Sequence, residues 1–333
     1  MKILYSYKTE KERAELAEKL STHEVIFHSG PLQSGNWSGA GIEGLCVFVN
    51  SLVGEAALAR LPDLKLIATR STGYDHIDLT RARARDITIV NVPSYGEHTV
   101  AEFAFALLLA VTRHICPANE RVVRAGTFSP DGLTGLDLFG KTVGIIGTGR
   151  IGKNFIRIAR GFGLKVIAFD VFPDSAYAQA EGFNYRTLDE LLREADIISL
   201  HLPENKDTHH LINRPRVEQM KKGMIVINTA RGSVIDTEAL VWGLEREIIS
   251  AAGLDVLAEE GNVVDEMHLL FDPHPQAAAL KTLLSNHYLI SHPRVLITPH
   301  LAFNTKEALE RIIETTVDNI NSFARGVVKN AVP

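Results

Sequence analysis

Gly147, Gly149 and Gly152 form a G-x-G-x-x-G between a short apolar run, residues 143–146, and a helix-like stretch. A second apolar run, 166–169, follows and ends in Asp170, 18 residues beyond the last glycine. A glycine triplet alone says little, but strand, turn, helix, strand and acid in that order describe a dinucleotide site. Gly147 permits the tight turn, Gly149 lets the backbone approach a pyrophosphate, and Gly152 lets the helix pack on its strand. Free N–H groups and the positive dipole end of that helix face the phosphates. Asp170 is suited to accept hydrogen bonds from the adenosine ribose hydroxyls and to repel a 2′-phosphate, which points to NAD rather than NADP.

A bound nicotinamide calls for one group that handles a proton and another that holds an anionic or carbonyl substrate. In open parallel sheets such groups sit at the C-terminal ends of strands. Three strand ends in the second half of the chain carry them: Arg231 after run 224–229, Glu259 and Glu260 after run 249–256, and His300 after run 295–299. Taken singly, these residues serve equally as a salt bridge, a solvated loop face and a helix-entry histidine. Their succession beside the glycine fingerprint favours a joint chemical role.

Two sets of short apolar runs separated by helix-like segments must position these groups. The first set is 2–7, 24–29, 45–49, 64–70 and 87–92; the second is 143–147, 165–170, 196–202, 224–229, 249–256 and 295–299. Short runs buried on both faces predict parallel sheets, and two sets predict two α/β domains. The fingerprint opens only near residue 142, behind a different α/β unit and a long helix over 98–115. A final helix over 306–326 carries an apolar stripe of Ala308, Leu309, Ile312, Ile313, Val317 and Ile320. That stripe needs a surface, and the first domain offers one. The expected division is therefore 1–97 with 300–333, and 98–299. Segment 259–294 is weakly patterned apart from a short helix near 279–289, and its length suggests a role at a site or interface.

Composition narrows the function classes. A net charge of −5 leaves no footprint for nucleic acid or an anionic membrane surface. The apolar stretch 103–111 is too short to span a bilayer, and the charged first 20 residues do not read as a signal peptide. Cys46 and Cys116 lack C-x-x-C spacing, Cys46 reads as core, and a reducing cytoplasm suits both. The 13 histidines lack H-E-x-x-H spacing or cysteine partners, so no metal is expected.

The segments GTGRIG (147–152), HLPENKDTHHLI (201–212), NTARGSVID (228–236), GLDVLAEE (253–260) and TPHLAFNT (298–305) together resemble the D-isomer-specific 2-hydroxyacid dehydrogenases. ATRSTGYDHIDL (68–79) and NVPSYGEHTVAE (91–102) extend the likeness over nearly the whole chain. Tyr95 and the long segment after Glu260 are most like the D-lactate dehydrogenase branch. The resemblance implies two doubly wound parallel-sheet domains, a discontinuous flavodoxin-like substrate domain and a Rossmann NAD-binding domain, with the active site in the cleft between them. It implies that Arg231 clamps the substrate carboxylate, that His300 is the general acid, and that Glu260 rather than Glu259 pairs with His300 and favours its cationic form. Backbone N–H groups of Thr72 and Gly73 would hold the carboxylate, and Tyr95 would close over the substrate. Cofactor contacts would come from Gly147, Gly149, Arg150, Ile151, Gly152, Asp170, His201, Pro203, Thr208, Thr229, Ala230, Arg231, Asp255 and His300. The implied reaction converts a small 2-oxo acid to its D-2-hydroxy acid with NADH, pyruvate to D-lactate first. Glyoxylate or hydroxypyruvate reduction, phosphoglycerate oxidation and an NAD-sensing corepressor are the alternatives. Helix 98–115 is the expected element of a homodimer.

Overall fold

The computed structural model describes residues 1–34, 36–258 and 277–333. The chain divides into two compact units, Met1–Tyr95 with Thr305–Pro333, and Gly96–Asn304.

Unit 1 holds five parallel strands: β1 (Lys2–Tyr7), β2 (Glu24–Ser29), β3 (Gly44–Val47), β4 (Leu66–Thr69) and β5 (Thr88–Val90). Their order, β2-β1-β3-β4-β5, is that of a flavodoxin-like sheet. Helices α1 (Glu10–Lys19), α2 (Glu55–Ala59) and α3 (Leu79–Arg83) link them. Every residue of β3 and β4 is buried, as strands covered on both faces require. The last helix of the chain, α12 (Lys306–Ala324), packs against β4 and α1, starting at a Thr305 cap that accepts the Ala308 N–H. Its Ala308, Ile312 and Ile320 are buried, whereas Leu309 is 40% exposed and lies off the buried stripe. After α12 the chain runs back along β5: Val332 N–H donates to Ile89 O at 2.9 Å and Asn91 N–H to Asn330 O at 3.1 Å. Val90 and Ala331 form an antiparallel bridge, so the open edge of the sheet is covered.

Unit 2 holds a seven-stranded parallel sheet: β6 (Thr142–Ile146), β7 (Lys165–Phe169), β8 (Asn184–Tyr185), β9 (Ile197–Leu200), β10 (Met224–Asn228), β11 (Ile249–Leu254) and β12 (Val295–Ile297). Its helices are α4 (Glu97–Thr112), α5 (Ile115–Ala125), α6 (Arg150–Gly161), α7 (Ser175–Glu181), α8 (Leu188–Glu194), α9 (Arg214–Val217), α10 (Thr237–Glu245) and α11 (Ala277–Ser291). The order β12-β11-β10-β9-β6-β7-β8 reverses between β6 and β9, which is where a dinucleotide lodges in a Rossmann sheet. Helix α4 is apolar because it packs on α6 and across β10, β11 and β12. Among the described residues no single helix is long and apolar enough to cross a membrane.

Three features depart from the sequence expectations. The helix over 98–115 is broken: α4 ends at Thr112, and His114 takes a left-handed φ of 52° before α5 starts. β8 has only two residues, too few for any periodicity to reveal. Residues 300–304 belong to unit 2 rather than to the first domain, because hydrogen bonds from segment 298–302 converge on Asp255 at the end of β11.

Candidate active site

Strand β6 leads directly into the glycine turn. Gly147 has φ +95°, and a Cβ there would stand 2.4 Å from the His201 carbonyl oxygen. A Cβ on Gly152 would stand 2.1 Å from the Gly147 carbonyl oxygen, so α6 packs down only on glycine. Gly149, the N-cap of α6, is different: a Cβ there would meet nothing within 4 Å. Packing within the chain does not require glycine at 149, but close approach of a pyrophosphate does. Arg150 and Ile151 open the helix beside that space. Asp170, at the end of β7, accepts from Thr148 N–H at 2.6 Å, Thr148 Oγ1 at 2.9 Å and Phe172 N–H at 2.9 Å. The Tyr185 hydroxyl of β8 meets Thr148 Oγ1 at 2.8 Å. The glycine turn and its acid are thus one hydrogen-bonded assembly, and a carboxylate still has lone pairs to offer a ribose.

The ends of β10, β11 and β12 lie side by side and are joined residue by residue. Asp255 N–H donates to Asn228 O at 2.9 Å, Thr298 N–H to Leu254 O at 2.9 Å, and His300 N–H to Asp255 O at 2.9 Å. Asn228, buried at the end of β10, shapes the turn that presents Arg231. Its Oδ1 accepts the Ala230 N–H at 3.0 Å and its Nδ2 donates to Arg231 O at 2.9 Å. The next residue, Gly232, lies so close to the Leu257 backbone that a Cβ would fall 2.0 Å from the Leu257 carbonyl carbon. His300 adopts a left-handed φ of 50°. The Asp255 carboxylate holds that bend: it accepts from Thr298 Oγ1 at 2.5 Å, Leu301 N–H at 3.0 Å and Ala302 N–H at 2.8 Å. Burial pushes its carboxyl above the usual range, and those hydrogen bonds with the nearby His300 charge pull it back.

In unit 1 the turn after β4 has a one-sided hydrogen-bond pattern. All three carbonyls of Ser71–Thr72–Gly73 are engaged: Ser71 O by Val92 N–H at 3.1 Å, Thr72 O by Asn91 Nδ2 at 2.8 Å, and Gly73 O by Ser71 Oγ at 2.6 Å. Among the described residues the Thr72 and Gly73 N–H groups have no acceptor. Two adjacent unengaged N–H groups at a strand end make an anion seat. Helix α12 steadies it, with Asn319 Nδ2 donating to Asn91 O at 2.8 Å and Arg311 Nε to Tyr95 O at 2.8 Å.

The chain resembles known proteins over most of its length. Residues 105–302, more than half of the chain, match the model of the D-isomer specific 2-hydroxyacid dehydrogenase, NAD binding domain. The chain belongs to the D-isomer-specific 2-hydroxyacid dehydrogenase family. It is 37% identical over 288 residues to the D-lactate dehydrogenase of Escherichia coli K12, covering 86% of this chain and 84% of that protein. An aromatic 2-oxoacid reductase of Clostridium sporogenes is 38% identical over 296 residues, covering 87% and 86%. The crystal structure of the D-lactate dehydrogenase from Aquifex aeolicus, complexed with NAD and lactic acid, superposes with a TM-score of 0.87 at 34% identity, covering 97% and 96%. NAD is the cofactor of this dehydrogenase, and the open space at Gly149 fits it.

Several expected contacts of the dehydrogenase turn out to have internal partners. Thr208 Oγ1 donates to Pro203 O at 2.7 Å, closing their loop on itself. The Asp255 carboxylate accepts from Thr298, Leu301 and Ala302, which makes it a brace for the His300 bend. Thr229 Oγ1 is buried and has no partner among the described residues, as a group awaiting a ligand would. Glu260 and Glu259 lie outside the described residues. Asn228, Thr298 and Thr148 were not anticipated; the signal for the first two is a polar residue closing an otherwise apolar strand run. Replacing Asp255 with Asn puts an amide donor against backbone donors. We expect the variant to lose about 1–3 kcal/mol in urea unfolding, and turnover to fall with it. Parental stability would remove the brace from the account.

His201 follows β9 and packs its ring 5.2 Å from that of Phe155. Its Nε2 meets Ser199 Oγ at 3.0 Å, and its Nδ1 is shut off from solvent without a partner. Burial lowers its pKa to about 3, so the ring is neutral in the folded protein. The unfolded chain therefore binds more protons below the ordinary histidine pKa. This contribution to stability is complete above pH 6.5 and declines as pH falls toward 3, by at most about 1.4 kcal/mol per unit. His201→Gln should flatten the unfolding free energy between pH 6.5 and 4.5; an unchanged slope would assign the acid sensitivity elsewhere.

Proposed function

We propose that this dehydrogenase reduces pyruvate to D-lactate. The observation that carries the reading is the bonded array of strand ends that places Arg231 after β10 and His300 after β12, with Asp255 between them. When bound, NADH supplies the hydride that reaches the carbonyl carbon. Arg231 holds the substrate carboxylate with its planar fork and draws electron density from the adjacent carbonyl. His300 gives a proton to the carbonyl oxygen as negative charge develops there, and takes it back in the reverse direction. Glu260, outside the described residues, is the acid that the family resemblance assigns to His300, and the same resemblance assigns substrate roles to Thr72, Gly73 and Tyr95. Asp170 selects NAD by accepting from ribose hydroxyls and repelling a 2′-phosphate.

The choice of pyruvate is supported by the D-lactate dehydrogenases among the relatives. The Clostridium reductase shows which competitor to include. A panel of pyruvate, glyoxylate, hydroxypyruvate and phenylpyruvate, each with NADH and with NADPH, tests the reading. Pyruvate with NADH should give the highest kcat/KM and a D-product. A better aromatic substrate would move the specificity, and an L-product would sink the mechanism.

The homodimer element expected over 98–115 shifts here to α5, because α4 packs on α6 and on β10, β11 and β12. Helix α5 buries none of its residues, with Val123 72% exposed and, beyond the helix, Phe128 92% exposed. Light scattering should report a dimer, and Val123→Asp with Phe128→Ser should yield monomers. A reducing cytoplasm suits the two free thiols, Cys46 and Cys116.

A further inference from the structure

In a sheet ordered β2-β1-β3-β4-β5 the strand order reverses between β1 and β3, and the carboxyl ends of those strands are where such folds accept a ligand. Here the chain fills that position itself. Arg70, the first residue after β4, is 7% exposed, and its backbone N–H donates to Val47 O at 2.9 Å, at the end of β3. Its side chain continues across β3 to β1, where Nη2 donates to Ser6 O at 2.8 Å. The guanidinium carbon stands 5.2 Å from the centre of the Tyr5 ring and 5.5 Å from that of Phe48. Nη1 pairs with Glu12 of α1, whose other carboxylate oxygen accepts the Lys8 N–H at 2.9 Å. One buried side chain thus ties the ends of β4, β3 and β1 to α1.

The residues that follow Arg70 are Ser71, Thr72 and Gly73. We propose that Arg70 and Glu12 form a positioning pair that anchors the start of this turn, so that its two unengaged N–H groups converge on the substrate carboxylate. From the other side the turn is held by Val92, Asn91 and the Ser71 hydroxyl, all of which grip carbonyls. Arg70 fixes the strand end from which the N–H groups project, beside the Thr69 hydroxyl, which meets Ser71 Oγ at 2.7 Å and His76 Nε2 at 3.1 Å. The pair is electrically neutral and touches no substrate. It acts through geometry, so its loss weakens substrate binding rather than the chemical step. The inference rests on the reading of the Thr72–Gly73 turn as the carboxylate seat.

A purely structural ion pair predicts a different outcome. Exchanging both partners of a buried pair for apolar residues commonly leaves stability intact. Arg70→Met combined with Glu12→Leu should therefore fold and melt near the parent. Its KM for the 2-oxo acid should rise at least about tenfold, with kcat within about threefold and NADH affinity by fluorescence titration unchanged, because binding lost equally from ground and transition states appears in KM. Arg70→Lys keeps the charge but cannot reach both Glu12 and Ser6 O, so it should give an intermediate KM. It decides the matter if the double variant does not fold. Parental KM in a folded variant, or losses shared equally by kcat and NADH affinity, would overturn the proposal. Absence of turnover in the parent on every 2-oxo acid would instead overturn the assigned reaction.

Discussion

His300→Gln is expected to bind NADH as the parent does and to turn over at least about a hundredfold more slowly, the scale of a lost general acid. The substitution is a clean test because backbone bonds set the position of residue 300. The His300 N–H is bonded to Asp255 O and Thr298 O, and the flanking residues are gripped by the Asp255 carboxylate. Gln therefore sits at the same place with a side chain that forms hydrogen bonds but delivers no proton. NADH affinity, read by nucleotide fluorescence, and kcat, read by NADH oxidation, give the two halves of the result. Turnover within about threefold of the parent would remove His300 from the mechanism.

Arg231→Lys is expected to lower kcat/KM by about ten- to a hundredfold although the positive charge remains. Two charge-assisted bonds from one planar group to a carboxylate contribute about 1.5–3 kcal/mol each, and an ammonium reproduces at most one of them. The turn that presents residue 231 is set by Asn228 and by the close approach of Gly232 to Leu257, so it survives the change. Loss of carboxylate holding should appear in KM and loss of carbonyl polarisation in kcat. A change confined to a few fold in KM would show that the carboxylate is held elsewhere, with the Thr72–Gly73 turn the first place to look.

Much of this site can be read from residue order, because parallel strands announce themselves as apolar runs and their C-terminal ends point at the ligand. The glycine turn, Asp170, Arg231 and His300 follow the ends of strands that those runs mark. The supporting groups carry no such mark. Asn228 and Thr298 look like ordinary ends of strands until the bonds they make are known. That the Asp255 oxygens accept from Thr298, Leu301 and Ala302 is likewise unmarked in residue order. Arg70 sits next to the carboxylate turn, but its reach across β3 to Ser6 depends on strand order, which local periodicity does not encode. The break at His114 lies in a stretch rich in β-branched residues just before Pro117, which suits the first turn of a new helix, but the apolar pattern runs across it and masks the signal. The two-residue β8 is visible only through its partner, β7, and through the hydroxyl that Tyr185 brings to Thr148.

The return of α12 to the first sheet sets an order of assembly. Every residue of unit 2 precedes Thr305, so on a ribosome its sheet can close while β1–β5 still lack the helix that packs on β4. Ile320, which shares the core of Tyr5, Leu16, Cys46 and Leu66, arrives only with the last few turns of chain. The nascent protein must hold an unfinished first unit while the second is already complete. Surveillance by chaperones and proteases would therefore meet the exposed α12-binding face of β4 as the long-lived vulnerable state.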